Sequence, residues 1–363
     1  MPTSPKGPRT PRSESRGLDA MGHPFRIGVM QLTMEPLAEM LATAEVMDRV
    51  GMDTIWLAEA YPWWRKHGME ARSSTVVSAL IAERTSRIAV GWGIISPFTR
   101  HPVQAAMDAR VVQEAAGPGR FLLGFGTSKI FLNNARIQTK KTLGPMRDAV
   151  AIARGVLGGE AFEYEGETWS ASVPALSGEA ESPREVPPVY VAATAPKMQA
   201  LAGEIGDGCL TPSITTPTFV RYTRDNVNAD VDIGCTIVAS IHESDRDAGR
   251  DGAREIAAMY LANKFQNIRG SADTLLELAG IEMEELAPVA EAMERGGRLA
   301  AKEKVTDSLL DRCKPIAGTP EDCVAAIEDY REAGCTHVML ELWGDDRHRQ
   351  LELFGERVLP QVR

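Results

Sequence analysis

Residues Ile88–Ser128 read IAVGWGIISPFTRHPVQAAMDARVVQEAAGPGRFLLGFGTS, and this segment carries more information about the fold than any other part of the chain. A β-branched strand at Ile88–Gly93 is followed by helical apolar spacing over Val103–Glu114 and by a second apolar strand at Phe121–Gly126. Two apolar strands joined by a helix predict a βαβ unit with parallel strands. Both strands end in glycines, which predicts bare backbone at the rim where such folds bind ligands.

Strand-like and helix-like patterns alternate along the rest of the chain. The predicted strands are Phe25–Gln31, Thr54–Ala58, Ile88–Gly93, Phe121–Gly126, Val189–Ala193, Gly208–Leu210, Ile233–Ser240 and His337–Leu342. The predicted helices are Leu37–Val50, Ser74–Arg84, Val103–Glu114, Leu143–Leu157, Pro196–Ile205, Thr218–Asn228 and a last one near Arg347–Val358. Eight strands in βα order predict an α/β fold, the (β/α)₈ TIM barrel. A doubly wound sheet would have fewer strands and an early glycine-rich phosphate turn, which this sequence lacks.

Two insertions interrupt the barrel pattern, after the fourth and the seventh strand. Residues 160–184 contain FEYEGETWS, whose alternation around Gly166 predicts a hairpin, and residues 245–315 are charged and helix-rich. Insertions at the carboxyl-terminal rim usually shape substrate pockets, although a cover for the barrel or a dimer contact is an equal alternative. Residues 1–22 are rich in Pro, Arg and Ser, which predicts a disordered tail before a single barrel domain over 23–363.

The composition limits the classes of function. The chain has 363 residues, 44% of them hydrophobic, which is enough for a large core. A net charge of −10 argues against nucleic acid as a partner, and no apolar run is long enough for a membrane helix. Five cysteines without CxxC spacing predict reduced thiols and a cytoplasmic protein, and six histidines without HxH or HExxH spacing give no sign of a metal site.

Four motifs, in order along the chain, resemble the luciferase-like superfamily of flavin- and deazaflavin-dependent oxidoreductases. They are GMDTIWLAE (Gly51–Glu59), IAVGWGIISPFTRHP, GRFLLGFGTS and PPVYVAATAPKMQALAGEIGDGCL (Pro187–Leu210). The sequence is most similar to the branch of methylenetetrahydromethanopterin reductase, which uses coenzyme F420. This resemblance implies a barrel that seats a tricyclic cofactor in its mouth, a small-molecule substrate and a homodimer.

Glu59 and His101 are the predicted catalytic residues. Glu59 ends the second strand, where the resemblance implies an acidic residue close to the cofactor. If burial raises its pKa towards neutrality, it would donate a proton to a substrate that receives hydride; an ion pair with an arginine is the alternative. His101 belongs to the Arg100-His101-Pro102 motif typical of the family and has a free pKa near neutral pH, but simple bracing of the rim is the alternative.

Aromatic residues follow Glu59 directly in the segment YPWWR. Tyr61, Trp63 and Trp64 predict a wall of the substrate pocket for an apolar or conjugated molecule. A hydrophobic lid and a dimer contact are the alternatives.

The predicted cofactor site begins at two strand ends. Trp92 and Gly93 are expected beside the ring, where the resemblance implies a non-prolyl cis peptide bond. Gly126, Thr127 and Ser128 follow the fourth strand, and their backbone and hydroxyls are expected to contact the ring or the ribityl chain. A helix cap is the alternative for the hydroxyls.

The predicted phosphate site is the start of the helix after the fifth strand. Thr194, Ala195, Pro196 and Lys197 combine free N–H groups at a helix N-terminus with a hydroxyl and a cation. The family usually has glycine at the position of Ala195.

Three functions stay open from the sequence. F420 chemistry would transfer hydride to or from a small organic substrate, and the segment PKMQALAGEIGDG together with Lys197 favours this cofactor. FMN in the same pocket would support a luciferase-like monooxygenase. A barrel without cofactor, acting as a regulatory or heterodimer partner, is kept open by Ala60 and Ala195, which depart from the family pattern.

Overall fold

Eight parallel strands close into a barrel in the computed structural model, which describes residues 25–59, 70–175, 185–267, 273–344 and 346–363. The strands are β1 (Arg26–Leu32), β2 (Thr54–Ala58), β3 (Ala89–Trp92), β4 (Phe121–Phe125), β5 (Phe162–Glu165), β6 (Ser170–Val173), β7 (Val189–Ala192), β8 (Gly208–Thr211), β9 (Asp232–Ile241), β10 (Ile316–Gly318) and β11 (His337–Glu341). The barrel order is β1-β2-β3-β4-β7-β8-β9-β11 and back to β1, and β10 pairs with the last residues of β9. The predicted TIM barrel is confirmed.

Helices follow most of the strands. They are α1 (Leu37–Val50), α2 (Ser74–Arg84), α3 (Pro102–Ala116), α4 (Lys129–Asn134), α5 (Leu143–Gly158), α6 (Pro196–Ile205), α7 (Pro217–Val227), α8 (Arg246–Asn267), α9 (Asp273–Ala279), α10 (Ala287–Lys302), α11 (Asp307–Arg312), α12 (Pro320–Glu332), α13 (Arg347–Leu353) and α14 (Leu359–Val362). Some details differ from the prediction, which did not include strand β10 and helix α12. Helix α4 was not predicted, because six residues are too few to show a helical period. The last helix is interrupted by a π turn at Phe354–Val358.

Some predicted features lie outside the described residues. They are the tail at residues 1–22, the aromatic residues Tyr61, Trp63 and Trp64, and residues 176–184 of the first insertion.

The interior of the barrel is a packed apolar core. Its buried members come from six strands: Met30, Trp56, Leu122, Tyr190, Leu210 and Met339. Trp56 fills the centre edge-on to Tyr190, with 5.0 Å between the ring centroids. Gly91 makes room for it, since a Cβ there would lie 2.5 Å from the indole. Side chains alternate along the strands, so the other face of each strand packs against the helices.

A buried polar network closes the amino end of the barrel. Asp232 accepts hydrogen bonds from Tyr190 at 2.6 Å and from Arg26 at 3.0 Å, and it also contacts Thr336 and, at 3.3 Å, His337. Burial alone would raise the pKa of Asp232, but these donors hold it well below its usual range. The network fixes four strands at the end of the barrel opposite the predicted mouth, which is the position of a stabilising element.

The two insertions pack on different parts of the barrel. In the first, β5 and β6 form an antiparallel hairpin against α5, and Asp148 of α5 accepts backbone N–H bonds from Thr168 at 2.6 Å and Trp169 at 3.2 Å. In the second, α8 to α11 enclose a second apolar core over the carboxyl end of the barrel. Met34, Ile214 and Val238 are the barrel's side of that core.

Candidate active site

The floor of the mouth is small and apolar. Ala58, Ile94 and Ala192 pack on the inner core but stay partly exposed at the carboxyl end of the barrel. A cis peptide bond joins Gly93 to Ile94. A Cβ on Gly126 would lie 2.6 Å from the Ile94 side chain, and one on Gly93 would lie 2.9 Å from a methionine methyl. Glycine at both positions therefore keeps the floor flat and its backbone bare.

Glu59 lies at one side of this floor and is engaged by Arg100. Arg100 Nη1 is 3.4 Å from Glu59 Oε1, its Nε is 3.0 Å from Asp108 Oδ2, and Nη2 is 3.5 Å from the Thr75 hydroxyl. Burial raises the pKa of Glu59, and the Arg100 guanidinium opposes this rise. Arg100 thus ties the end of β2 to α2 and α3, so the bracing function predicted as an alternative is present in the geometry.

His101 stands at the start of α3. Its Nδ1 accepts the backbone N–H of Val103 at 3.3 Å, so the ring caps the helix. The ring is exposed and faces Trp169 of the hairpin, with 6.4 Å between the centroids. The structure therefore shows a capping function for His101, and its catalytic function stays a prediction.

Trp92 packs away from the mouth. Its side chain is fully buried between the barrel and the helices, donates Nε1–H to Ser78 Oγ at 2.9 Å and meets Phe121 edge-on at 4.9 Å. On β3 the inward positions belong to the glycines on either side of Trp92, because side chains alternate along a strand. Trp92 therefore supports the strand end from behind, and its indole is not placed to stack on a ligand in the mouth.

Thr127 and Ser128 are partly exposed after β4. Ser128 has a left-handed backbone with φ of 44° and does not cap α4 with its side chain. The Thr127 carbonyl accepts a long hydrogen bond of 3.5 Å from Ser96 Oγ, which ties this loop to the loop after β3. The helix-cap alternative for the Ser128 hydroxyl is therefore not realised.

The N-terminus of α6 is open to solvent. Ala195 precedes the helix, Pro196 occupies its first turn, and no side chain caps it. Ala195, Pro196 and Lys197 are exposed, and Thr194 is half-buried. The helix start, the hydroxyl and the cation therefore lie side by side after β7, and their binding of a phosphate stays a prediction.

Two mouth residues were missed by the sequence analysis, Glu341 and Tyr260. Glu341 ends β11 and is fully buried; Tyr260 of α8 donates its hydroxyl to Glu341 Oε1. Within the described part of the chain, Glu341 Oε2 has no hydrogen-bond partner. Burial raises the pKa of Glu341 to about 8. A carboxylate at a strand end was a visible signal, the same one that identified Glu59, but its partner lies in an insertion.

Lys264 is a third missed residue and lies one turn after Tyr260 on α8. Only 6% of it is exposed, and no ion pair is formed with it by the residues that the structure describes. Burial lowers the pKa of Lys264 to about 8. A buried lysine without an ion-pair partner among the described residues is rare, which makes Lys264 a candidate functional residue.

A cavity of about 510 Å³ opens beside the ends of β1 and β11. Met30, Leu32, Met34 and Trp343 form its apolar side, while Arg298, Glu255, Glu35 and Arg347 form its charged side. The Arg298 guanidinium lies over the Trp343 ring at 5.3 Å, and Arg347 holds Glu35 through two bonds of 2.6 and 2.7 Å. The cavity connects the barrel interior with the second insertion.

The described residues provide neither a metal-binding cluster nor a membrane-spanning helix. They contain no group of three or more side chains arranged to hold a metal ion. None of the described helices combines the length and the apolar character that a membrane crossing requires. All five cysteines are buried and free.

Comparisons with known proteins agree on one family. Residues 20–337 match the family model of the luciferase-like monooxygenases. The 5,10-methylenetetrahydromethanopterin reductase of Archaeoglobus fulgidus is 29% identical over 328 residues, 86% of this chain and 92% of that protein. The F420-dependent glucose-6-phosphate dehydrogenase of Nakamurella multipartita is 26% identical over 357 residues, 93% of this chain and 96% of that protein. The structure of coenzyme F420-dependent tetrahydromethanopterin reductase from Methanopyrus kandleri superposes with a TM-score of 0.78 at 24% identity, covering 93% of this chain and 99% of that one.

Proposed function

Since the chain belongs to the luciferase-like monooxygenase family, we propose that it is an oxidoreductase that binds coenzyme F420 in the barrel mouth and exchanges hydride with a small organic substrate. Relatives named as F420-dependent enzymes align over nearly the whole chain, mouth included. The observation that carries the proposal is the flat apolar floor next to Gly93 and Ile94, with an open helix N-terminus at its edge.

The floor fits the ring of a deazaflavin. Ala58, Ile94 and Ala192 offer a partly exposed apolar surface without a charged group among them, and a flat tricyclic ring buries its face well on such a surface. The N–H groups of Gly93 and Gly126 already bond to the carbonyls of Leu57 and Ile95, so the contribution of the two glycines is that the ring can approach the backbone without meeting a Cβ.

The start of α6 fits the anionic tail of the cofactor. Its uncapped N–H groups carry the positive end of the helix dipole, and Thr194 and Lys197 add a hydroxyl donor and a charge. Ala195 replaces a glycine and keeps the tail slightly further from the backbone at this point. Pro196 has no N–H and the Met198 N–H bonds to the Ala195 carbonyl, so the Lys197 N–H is the donor that the first turn offers to a phosphate.

When bound, F420 supplies or accepts the hydride. The chain's own contribution is to orient the ring on the floor, to exclude water with the second insertion and to hold a proton near the substrate. Glu59 and His101 are the sequence-predicted groups for this proton. Glu59 would have to leave Arg100 before it donates, since an ion-paired carboxylate carries no proton.

The substrate is proposed to enter through the cavity beside β1 and β11. This cavity is large enough for a small organic molecule and has an apolar wall with a cation over an indole. Its position under the second insertion supports the prediction that this insertion shapes the substrate pocket.

The predicted homodimer is supported by one face of the barrel. Val76 and Leu80 of α2 and Met107 and Val111 of α3 are 40 to 61% exposed on two neighbouring helices. An apolar patch of this kind on a folded chain is typical of a protein interface. The free cysteines support the predicted cytoplasmic location.

A parallel titration with oxidised F420 and with FMN tests the proposal. We expect F420 to bind tightly, with a change in its absorbance and fluorescence, and FMN to bind at least tenfold more weakly. Tight binding of FMN alone would replace the hydride-transfer proposal by a monooxygenase, and binding of neither would favour the barrel without cofactor.

A further inference from the structure

Glu341 faces the inside of the barrel at its carboxyl end. On β11 it follows His337 and Met339, both of which point inwards, and side chains two residues apart share a face. Continuing the strand register by one residue puts Met30 beside it on β1, and Val238 is its partner on β9. The carboxyl group is therefore set in an apolar wall of the mouth.

One oxygen of Glu341 is held and the other is free. The Tyr260 hydroxyl donates to Oε1, and the Trp343 indole also lies close to the carboxyl group. Oε2 is buried and receives no hydrogen bond of good geometry from the residues in the described ranges. Met30, which neighbours Glu341 on β1, and Trp343, which follows it in the chain, line the cavity assigned to the substrate, and the fully buried carboxyl group of Glu341 lies directly behind this wall. A buried oxygen without a hydrogen-bond partner is unfavourable, and a hydrogen-bonding group of a ligand would satisfy it.

The surroundings of Glu341 keep its proton in place at neutral pH. Burial raises the pKa of Glu341 to about 8, and the polar groups close to it, Tyr260 from α8 and Trp343 from the following loop, only reduce this rise. The neighbours on β1 and β9 carry no charge. Since Oε1 accepts from Tyr260, the proton belongs on Oε2, the oxygen without a partner.

We infer that Glu341, positioned by Tyr260, is a catalytic acid that donates a proton to the oxygen or nitrogen of a C=O or C=N group in the substrate. The inference rests on the proposed function, because the hydride comes from reduced F420. The hydride forms a bond to the carbon, and the π electrons move to the oxygen or nitrogen. That atom takes the proton from Oε2, and the Tyr260 hydroxyl stabilises the carboxylate that is left until water returns a proton.

Glu341 avoids the difficulty that Glu59 presents. Glu59 is paired with Arg100, which also reaches α2 and α3, so its donation of a proton would require the rim to rearrange. Glu341 has no ion-pair partner to lose among the described residues. Its partner Tyr260 belongs to the second insertion, so the segment that shapes the pocket also positions the acid.

The first measurement is infrared spectroscopy of the protein loaded with oxidised F420. The wild type and Glu59→Gln should show the carbonyl band of a neutral carboxylic acid that is missing from Glu341→Gln and shifted in Tyr260→Phe. Cyclohexanone and 1-pyrroline are then added as C=O and C=N probes, and at least one should shift this band. Tyr330→Phe is the matched control, since Tyr330 is also buried but bonds to the carbonyls of Thr215 and Lys314.

The second measurement is turnover of the probe that shifts the band, with reduced F420 as hydride source. Glu341→Gln should lower kcat at least 100-fold with little change in KM, and Tyr260→Phe should lower it about tenfold and move the basic limb of the pH profile. A merely structural contact would be preserved by Gln and would leave kcat unchanged.

The outcomes separate the two proposals. Failure of the wild type to bind F420 contradicts the proposed function, irrespective of Glu341. Binding of F420 with no acid band, no band shift with either probe, or an unchanged kcat in Glu341→Gln overturns the inference while the proposed function stands. If Glu341→Gln does not fold, Tyr260→Phe gives the same test, because the predicted band shift and pH change do not depend on the Gln variant.

Discussion

The guanidinium of Arg100 lies 3.4 Å from the carboxylate of Glu59. Burial raises the pKa of Glu59 and Arg100 counteracts the rise, so Arg100→Met should raise this pKa further. Carbon-13 NMR of labelled glutamate carboxyls measures the change. Arg110→Met is the control, because Arg110 pairs with Glu114 on the same helix and does not contact Glu59. An unchanged titration of Glu59 in Arg100→Met would mean that the contact with Arg100 does not affect the ionisation of Glu59.

Lys197 tests the phosphate site. Lys197→Ala should weaken F420 binding by about 1–2 kcal/mol, roughly tenfold, since a charge-assisted contact to phosphate is lost. The deazaflavin core without its phosphate tail should bind both proteins equally. Lys141→Ala, which removes another exposed lysine, is the control. Equal loss for the tailless core would place Lys197 near the ring instead.

Asp232 tests the network at the amino end of the barrel. Asp232→Asn should lower the free energy of unfolding by about 3–5 kcal/mol at pH 7, because Arg26 and its other partners lose a buried charge. The folded-state pKa of Asp232 lies well below the unfolded value of about 4, so its contribution is complete above pH 4 and is lost as the pH falls further. Urea denaturation at pH 7 and pH 3 should show a smaller difference between variant and wild type at pH 3. If the difference in the free energy of unfolding between Asp232→Asn and the wild type were the same at both pH values, the stabilisation would not come from the ionised Asp232 carboxylate.

Lys264 tests the buried cation. Its pKa of about 8 lies below that of the unfolded chain, so the folded protein pays for burying the charge at pH 7. Lys264→Met should therefore stabilise the protein by about 2–3 kcal/mol at pH 7, and the gain should disappear above pH 10.5, where the lysine is neutral in both states. Thermal unfolding across this range measures it. Lys302→Met is the control: it removes the ion-pair partner of Asp251 and should not stabilise the protein.

Local patterns were sufficient to predict the barrel. Helices such as Leu37–Val50 and Pro196–Ile205 have the predicted bounds, because Gly51 ends the first and Pro196 starts the second. These signals lie within a few residues of the element that they delimit, so a single sequence displays them.

Residues of the candidate site were predictable from the sequence only where a polar or charged side chain directly follows a strand. Strand ends identified Glu59 and the start of α6, but the alternation on β3 that turns Trp92 outwards depends on register, which the sequence leaves open by one residue. Glu341 and Tyr260 are 81 residues apart, and their contact depends on how the second insertion folds back over the barrel. No local pattern contains that information.

The second apolar core shares no residue with the core between barrel and helices. Substitutions on the inner faces of α8 and α10 therefore alter the ceiling of the mouth, and the barrel residues that they affect directly are those of the second core, such as Met34, Ile214 and Val238. Most of the residues that stabilise the barrel are therefore different from those that shape the pocket. Ligand preference can therefore change through substitutions in one segment. A library of variants confined to residues 253–293 should contain altered ligand preferences and a larger share of folded variants than a library in the core between barrel and helices.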